Sequence, residues 1–548
     1  MILLHNHWLM RTLYCLLFAS LFPLILVGCE DPFSDNSIRN RGFIYCGGGQ
    51  PNTFNPQLSD GGLTTYTLSS QIFDRLLQFD PVTYQPIPML AQSWIINPNG
   101  TQYTFFLRHN ATFQVTDWFI PHQGVTAKDV VFSFKRLISQ EHPFHHVSGG
   151  KYPWFDSMDF AGLVDNVEAL DDYTVLFTLS RPDVSFLSTL ATTYAVIHSS
   201  EYAKALQQEG KLSRIDTHPV GSGAFYLDEY QPHQIIRLKR HWGYWKGAAP
   251  MEQIVYDISI HGTGTLAKLV TRECDVLSSP IASQPSVIEK DPDFVLSYQT
   301  GMNVAFLALN TKHPALSSLD VRQAINLAVN RDDIIQSVYY GIGTPATGML
   351  PPMSWAYAEH AKFTFSPRLA ISLMTKAGYR HGFSVDLLVP LTPKRFNPNP
   401  RKTAELIQSN LAAIGITVNI LTQEDINRKK LRDNLDNLDM VLTGWIADNG
   451  DPDNFLRPLL SCKAQSTSWN LSNWCNRSFD RFLDAAIITE DRKKRRELYL
   501  QAQTILRDRM PIIPIAHGVH YQARNLTLRG MTLSPFGDKS FANVSRNR

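Results

Sequence analysis

The chain has 548 residues, too many for one compact core, and the length predicts about two to four structural units. Its composition, 44% hydrophobic and 18% charged, is that of a folded globular protein rather than a disordered one. The 51 basic and 49 acidic side chains leave a formal net charge of only +2, which excludes the basic excess of a nucleic-acid binder and a strongly polybasic membrane patch.

In chain order, the first twelve residues are short and weakly basic, with Arg11 their only Lys or Arg. The run 13–28 (LYCLLFASLFPLILVG) carries no charge and has the length of a signal-peptide apolar region, slightly short for a spanning helix. It ends at Leu26-Val27-Gly28-Cys29, which resembles a bacterial lipobox: cleavage before Cys29 and acylation of that cysteine are expected, with 1–28 as the lipoprotein signal peptide. Pro23 and the switch to Glu30-Asp31 disfavour the alternative, an uncleaved anchor helix. Residues 29–41 form a polar tether, and Phe43-Ile44-Tyr45-Cys46 is a buried strand ended by Gly47-Gly48-Gly49.

Strands are expected at 104–107 and 174–179, and a helix at 127–137, whose Val130, Val131, Phe134 and Leu137 share one face. Thr126 is its N-cap and Asp129 its acidic capping partner. From about 300 to 515 helices and strands alternate: helices at 320–338, 366–377, 403–414 and about 492–508, strands at 383–389, 416–420 and 440–442. Such alternation with short connections predicts an α/β unit around an open sheet. The charged run 491–497 reads as a solvated helix face.

Of six cysteines, Cys15 lies in the leader and Cys29 is the lipid site. Cys46, Cys274, Cys462 and Cys475 remain, an even number that permits two disulfides in an exported chain, with three pairings open. Cys462 and Cys475 are 13 residues apart, so closing that loop costs little entropy. The complementary pair is Cys46 with Cys274, and both bridges are expected to staple surface loops.

Catalytic motifs are missing. Gly47-Gly48-Gly49 lacks the Gly-Lys-Ser/Thr of a phosphate loop, Gly262-Thr263-Gly264 the rest of a dinucleotide fingerprint, and Gly221-Ser222-Gly223 the flanks of a nucleophile elbow. The adjacent His145-His146 cannot readily face one metal from a regular element. No catalytic residue, metal or cofactor is expected, and a secreted hydrolase is disfavoured for the same reason. One segment stands out, GWIADNGDPDNF at 444–455, where Trp445, Asp448, Asp451 and Asp453 crowd a predicted strand end, the place where open α/β sheets bind ligands. Two readings stand open: a buried carboxylate that pairs with a ligand cation, or a turn stapled by Asp and Asn side chains.

The sequence resembles the family 5 extracellular solute-binding proteins, the dipeptide and oligopeptide receptors of ABC importers. The likeness is carried by the 444–455 loop with Cys462 and Cys475, by Asn52-Thr53-Phe54-Asn55-Pro56, and by 219–225 (PVGSGAF) before 237–245. The segments 116–121 (TDWFIP), 301–311 (GMNVAFLALNT) and 533–537 (LSPFG) are most similar to the family's Sap branch of peptide-transport receptors. The resemblance implies an α/β, two-lobed periplasmic-binding-protein type II fold that closes like a clamshell on two hinge strands. Lobe I would comprise 42–72, 220–300 and 519–548, with 73–219 an inserted subdomain, and lobe II 301–518. It implies an interlobe cleft that captures peptides, antimicrobial peptides among them, for an ABC permease and ATPase complex in the inner membrane. Haem is the alternative cargo. The protein would be a monomer in the periplasm or cell envelope, tethered through Cys29. In the motif, Asp448 pairs with the ligand ammonium beside Trp445. Lys394-Arg395-Phe396 stands where the dipeptide branch holds the ligand carboxylate. Aligned on Asn397-Pro398, Lys394 takes the Arg position and Arg395 a Pro position, a departure from that branch.

Overall fold

A computed structural model describes residues 41–47, 49–59, 62–259, 263–281, 283–422, 438–466, 469–536 and 540–547. The leader 1–28 with Cys15, the lipobox Cys29 and the tether up to residue 40 lie outside the described residues, as do Gly48, Gly262 and Gly537. Among the described residues no helix is long and apolar enough to cross a membrane.

Two large mixed sheets organise the chain. The first has seven strands in the spatial order Phe294–Thr300, Val519–Asn525, Val276–Leu277, Gly42–Cys46, Gln253–Asp257, Ile235–Arg240 and Phe225–Gln231. Gly42–Cys46 is central and parallel to both neighbours. All five of its residues are buried, Phe43 and Tyr45 in the core on one side, Ile44 and Cys46 in the core on the other. An apolar run without polar alternation is what a strand covered on both faces requires. The second sheet has six strands in the order Thr344–Pro345, Ile512–His517, Asn303–Leu309, Met440–Ile446, Phe383–Val389 and Ile416–Thr422. Its strand Asn303–Leu309 obeys the same logic: Ala305, Leu307 and Leu309 enter one core, Val304, Phe306 and Ala308 the opposite one.

Between strands of the first sheet sits a four-stranded antiparallel sheet, Ala91–Ile96, Gln102–Leu107, Thr174–Leu179 and Val164–Asp171. Tyr103, Phe105, Val175 and Phe177 pack inward against the helix Ala127–Ile138, where the Phe134 and Phe177 rings meet at 5.1 Å. The helix starts where its cap demands: Asp129 accepts from the Thr126 N–H at 2.7 Å and from its hydroxyl at 3.0 Å.

The chain passes between the two large sheets twice, from Phe294–Thr300 into Asn303–Leu309 and from Ile512–His517 into Val519–Asn525. The two crossings are bound together. The Asn303 amide accepts from the Gly518 N–H at 2.7 Å and donates to the Gly518 carbonyl at 3.1 Å. A Cβ on Gly518 would lie 2.3 Å from the carbonyl oxygen of Arg395, so only glycine fits where this crossing grazes the 394–397 turn.

Several expectations are corrected. The single helix expected over 320–338 is two, Leu319–Ala328 and Arg331–Val338, because Asn330 caps the second by accepting from the Asp333 N–H. The strand expected at 440–442 runs to Ile446, so Gly444 and Trp445 are strand residues rather than loop. The helix expected from 403 starts at Pro400, with Asn399 as its cap. The structure joins Cys46 to Cys274 and Cys462 to Cys475, with Cα atoms 6.0 and 4.4 Å apart. Cys46 and Cys274 are buried in the core beside the central strand instead of stapling a surface loop; Cys475 is exposed. Finally, the run 491–497 is not wholly solvated: Arg495 is buried against Asp451.

Candidate functional site

The site grows from the end of Met440–Ile446. Gly444 lies under the Phe396 ring, where any Cβ would come within 2.3 Å of Cδ2, so this strand can dock on the 394–397 turn only with glycine there. Trp445 is buried, donating from Nε1 to Asn454 Oδ1 at 3.2 Å and meeting Trp469 edge-on at 5.4 Å. The chain then turns into the helix Asp453–Leu460 through a set of local bonds. Asn454 Oδ1 accepts from the Asp448 N–H at 3.3 Å, Asn449 Oδ1 from the Asp451 N–H at 2.9 Å, and Asp451 Oδ1 from the Asp453 N–H at 3.0 Å.

The three carboxylates part ways. Asp451 pairs with Arg495 at 2.7 Å and Asp453 with Arg457 at 2.7 Å, both within the six-stranded unit. Asp448 turns the other way. Its Oδ2 accepts from Trp154 Nε1 at 2.6 Å and its Oδ1 from the Tyr66 hydroxyl at 3.2 Å. Trp154 belongs to the inserted segment and Tyr66 to the helix Leu63–Ile72 beside the seven-stranded sheet. Thus the turn reading of the 444–455 loop holds for Asn449, Asp451 and Asn454, which staple the turn, while Asp448 reaches across the interface to Trp154 and Tyr66.

Aromatic rings frame that carboxylate. Trp154 stacks on Tyr194 at 4.7 Å with 13° between planes, and the Tyr194 and Tyr66 hydroxyls are hydrogen-bonded. Burial and then the Asp448 charge push the Tyr66 phenol well above its ordinary value, while the Arg395 charge pulls the other way. The hydroxyl therefore stays protonated and is held as a donor. Both of these donors to Asp448 are uncharged.

The basic candidates separate in the same way. Lys394 is exposed at a tight turn, exchanging backbone bonds with Asn397 at 2.9 Å in each direction. Half-buried Arg395 sends its charge toward Tyr45 and Tyr66. Phe396 is buried in the core under Gly444. The structure thus gathers Asp448 and Arg395 about Tyr66, and leaves Lys394 in solvent and Phe396 and Trp445 as packing. Tyr66, Trp154 and Tyr194 were not anticipated. Each is one aromatic in a separate element, 382 residues from Asp448 in the case of Tyr66 and 294 in that of Trp154, and no local pattern marks them. Asn55, in the Asn-Thr-Phe-Asn-Pro motif, holds a buried polar network instead, donating to Asp216 Oδ1 at 2.7 Å while Arg136 pairs with Oδ2 at 2.8 Å. Among the described residues no three His, Cys, Asp or Glu side chains converge to hold a metal ion.

Two sheet units joined by two crossing strands, with a buried carboxylate spanning the seam, define a two-lobed binding protein of the periplasmic type II class. A family model described as bacterial extracellular solute-binding proteins, family 5 middle, matches residues 85–467, and the chain belongs to that family. It is 44% identical to the peptide transport periplasmic protein SapA of Salmonella typhimurium over 93% of both chains. It is 37% identical to heme-binding protein A of Haemophilus influenzae over 95% of this chain and 97% of that one. Among solved structures, a dipeptide-binding protein from Pseudoalteromonas sp. SM9913 in complex with Met-Leu superposes with a TM-score of 0.86 at 38% identity, covering 92% of this chain and all of that one.

Proposed function

We propose that the chain is the substrate-binding component of a bacterial ABC importer, capturing peptides between its lobes and handing them to a permease and ATPase complex in the inner membrane. It acts as a monomer, by binding and release without a catalytic step, in the periplasm, tethered by lipid on Cys29. Lobe I is 42–72, 220–300 and 519–548, carrying 73–219 as its subdomain, and lobe II is 301–518. The observation that carries this reading is Asp448: a carboxylate on lobe II that accepts from Tyr66 of the opposite lobe and Trp154 of its inserted subdomain supports a role in closing on a ligand ammonium. Arg395, whose charge reaches Tyr66, is the basic residue placed to meet a ligand carboxylate.

Calorimetric titration tests it. Asp448→Ala is expected to weaken binding of an unmodified tripeptide by about 2–5 kcal/mol, the cost of truncating one side of a buried charge pair. N-terminal acetylation of the peptide should cost the native protein a similar amount and the variant far less. Fully additive losses would remove the ammonium from Asp448. Haem is kept as a second reading because of the 37% identity to heme-binding protein A. Visible absorbance in a denaturing extract of the purified protein, with no response to any peptide, would favour it.

A further inference from the structure

The end of lobe I remote from the interlobe seam carries a feature that ligand capture does not use. Gly42–Cys46 and Phe294–Thr300 run in the same direction within the seven-stranded sheet, and Phe294–Thr300 leads into the crossing to the other lobe. Gly42, at the start of its strand, therefore lies at the opposite end, and from Arg41 the chain leads back to Cys29. Beside Gly42, a cavity of about 210 Å³ is lined by Arg41, Lys239, Arg240 and Glu252 together with Tyr226 and Trp242. Trp242 is 71% exposed, and the Arg240 guanidinium lies 3.6 Å over its ring. Arg41 and Arg240 share one carboxylate, Glu252, at 4.0 and 3.4 Å, while Lys239 pairs with Asp228 at 2.9 Å. One positive charge is left over, and Arg240 Nε is buried without a hydrogen-bond partner among the described residues. Arg546 links this rim to the next turn, donating to the Gly42 carbonyl at 3.3 Å and to the Thr527 hydroxyl at 3.0 Å, and Leu526 in that turn is 54% exposed.

An exposed indole with a guanidinium on its face and cations around it has the chemistry of a bilayer interface. The ring settles at headgroup level, and arginine grips phosphate oxygens with two parallel donors. The position favours that partner. Only the twelve residues 29–40 separate the cavity from the acyl anchor, a reach of at most about 40 Å. A surface held so close meets the bilayer at an effective concentration on the order of millimolar, so a modest patch suffices where a free protein would need a polybasic one. We propose that this end of lobe I docks on anionic phospholipid headgroups in the leaflet that holds the anchor, with Trp242 at the interface and Arg41 and Arg240 on the phosphates. The proposal goes beyond peptide capture and rests on the acylation of Cys29. Docking holds the interlobe seam pointed away from that leaflet.

The test is tryptophan quenching in the protein purified from membranes and reconstituted into vesicles that carry brominated acyl chains. The Trp242 signal is the difference between the native protein and Trp242→Phe. It is expected to be quenched about twofold more in phosphatidylcholine vesicles containing about 30% phosphatidylglycerol than in phosphatidylcholine alone, and salt at about 1 M should remove the excess. Arg41→Glu combined with Arg240→Gln should abolish the difference while peptide affinity stays unchanged. Should that variant fail to fold, Arg41→Glu combined with Lys239→Gln serves, since both side chains are exposed. Equal quenching in the two kinds of vesicle overturns the proposal, as does an excess that the charge variants keep. So does a Trp242 already shielded from acrylamide before vesicles are added, for then the acidic tether, with Glu30, Asp31 and Asp35, is the occupant. Failure of the anchor looks different, since no acyl mass is found on Cys29. In that event co-sedimentation of the soluble chain with the anionic vesicles decides: binding lost in Arg41→Glu supports the surface, and no binding overturns it.

Discussion

A carboxylate behaves according to what faces it, and the aspartates near the interlobe seam show three outcomes. Asp451 and Asp453 face arginines and hold their own lobe together. Asp448 faces Trp154 and Tyr66, neutral donors from the other side. Asp183 faces other aspartates, and burial holds its carboxyl at about 6 against an ordinary 3.8. That shift has a definite sign. The folded chain binds the Asp183 proton more tightly than the unfolded chain, so the group's contribution to stability grows as pH falls from about 6 to about 4. Above about 6 the ionised carboxylate is a constant cost. Asp183→Asn removes it. We expect the variant to exceed the native protein in stability by about 1–3 kcal/mol at pH 7, with the gap closing toward pH 4. Urea unfolding at pH 7 and pH 4.5 checks this, and a gap that widens on acidification would contradict it.

At the scale of elements, the hinge and the disulfides follow different physics. The return crossing at Gly518 runs against the Arg395 carbonyl, and the Asn303 amide grips both of its backbone polar groups. Gly518→Ala forces a methyl to within 2.3 Å of that oxygen. The variant is expected to lose about 1–3 kcal/mol of stability from overpacking and to bind ligand more weakly, because the turn that carries Arg395 must move; denaturation and titration of one preparation measure both. The disulfides act on the unfolded chain. Cys46–Cys274 closes a separation of 228 residues and Cys462–Cys475 one of 13. Loop entropy then predicts that removing the first pair costs about 5–6 kcal/mol and the second about 3. Replacing each pair with alanine and comparing urea midpoints tests the order. The helix 320–338 teaches the complementary lesson: apolar periodicity continues across Val329-Asn330, and only the cap bond at Asn330 reveals that two helices meet there.

For the molecule as a whole, function depends on where it is held and how its lobes meet. Cys29→Ser is expected to leave an unprocessed precursor lacking the acyl mass, readable by intact-protein mass spectrometry of the membrane fraction. Normal maturation of that variant at another position would dismiss the anchor. Much of the design was legible in the chain. The strands Thr174–Leu179 and Phe383–Val389, the capped helix Ala127–Ile138 and the α/β alternation declare themselves because burial on one or two faces imposes a short-range period on side chains. The 444–455 motif marks Asp448 because strand-end loops concentrate ligand chemistry. Local order cannot say which carboxylate meets an arginine and which crosses to the other lobe. Arg495 was hidden in a run of charges, and Tyr66, Trp154 and Tyr194 were single aromatics in remote elements. Their meeting is a product of two sheets closing on each other, and contacts between surfaces hundreds of residues apart impose no period on the chain that forms them. The sequence by itself therefore determined most of the elements, the Thr126 cap and the family to which they belong, whereas the tertiary structure alone decided which of those side chains share a site.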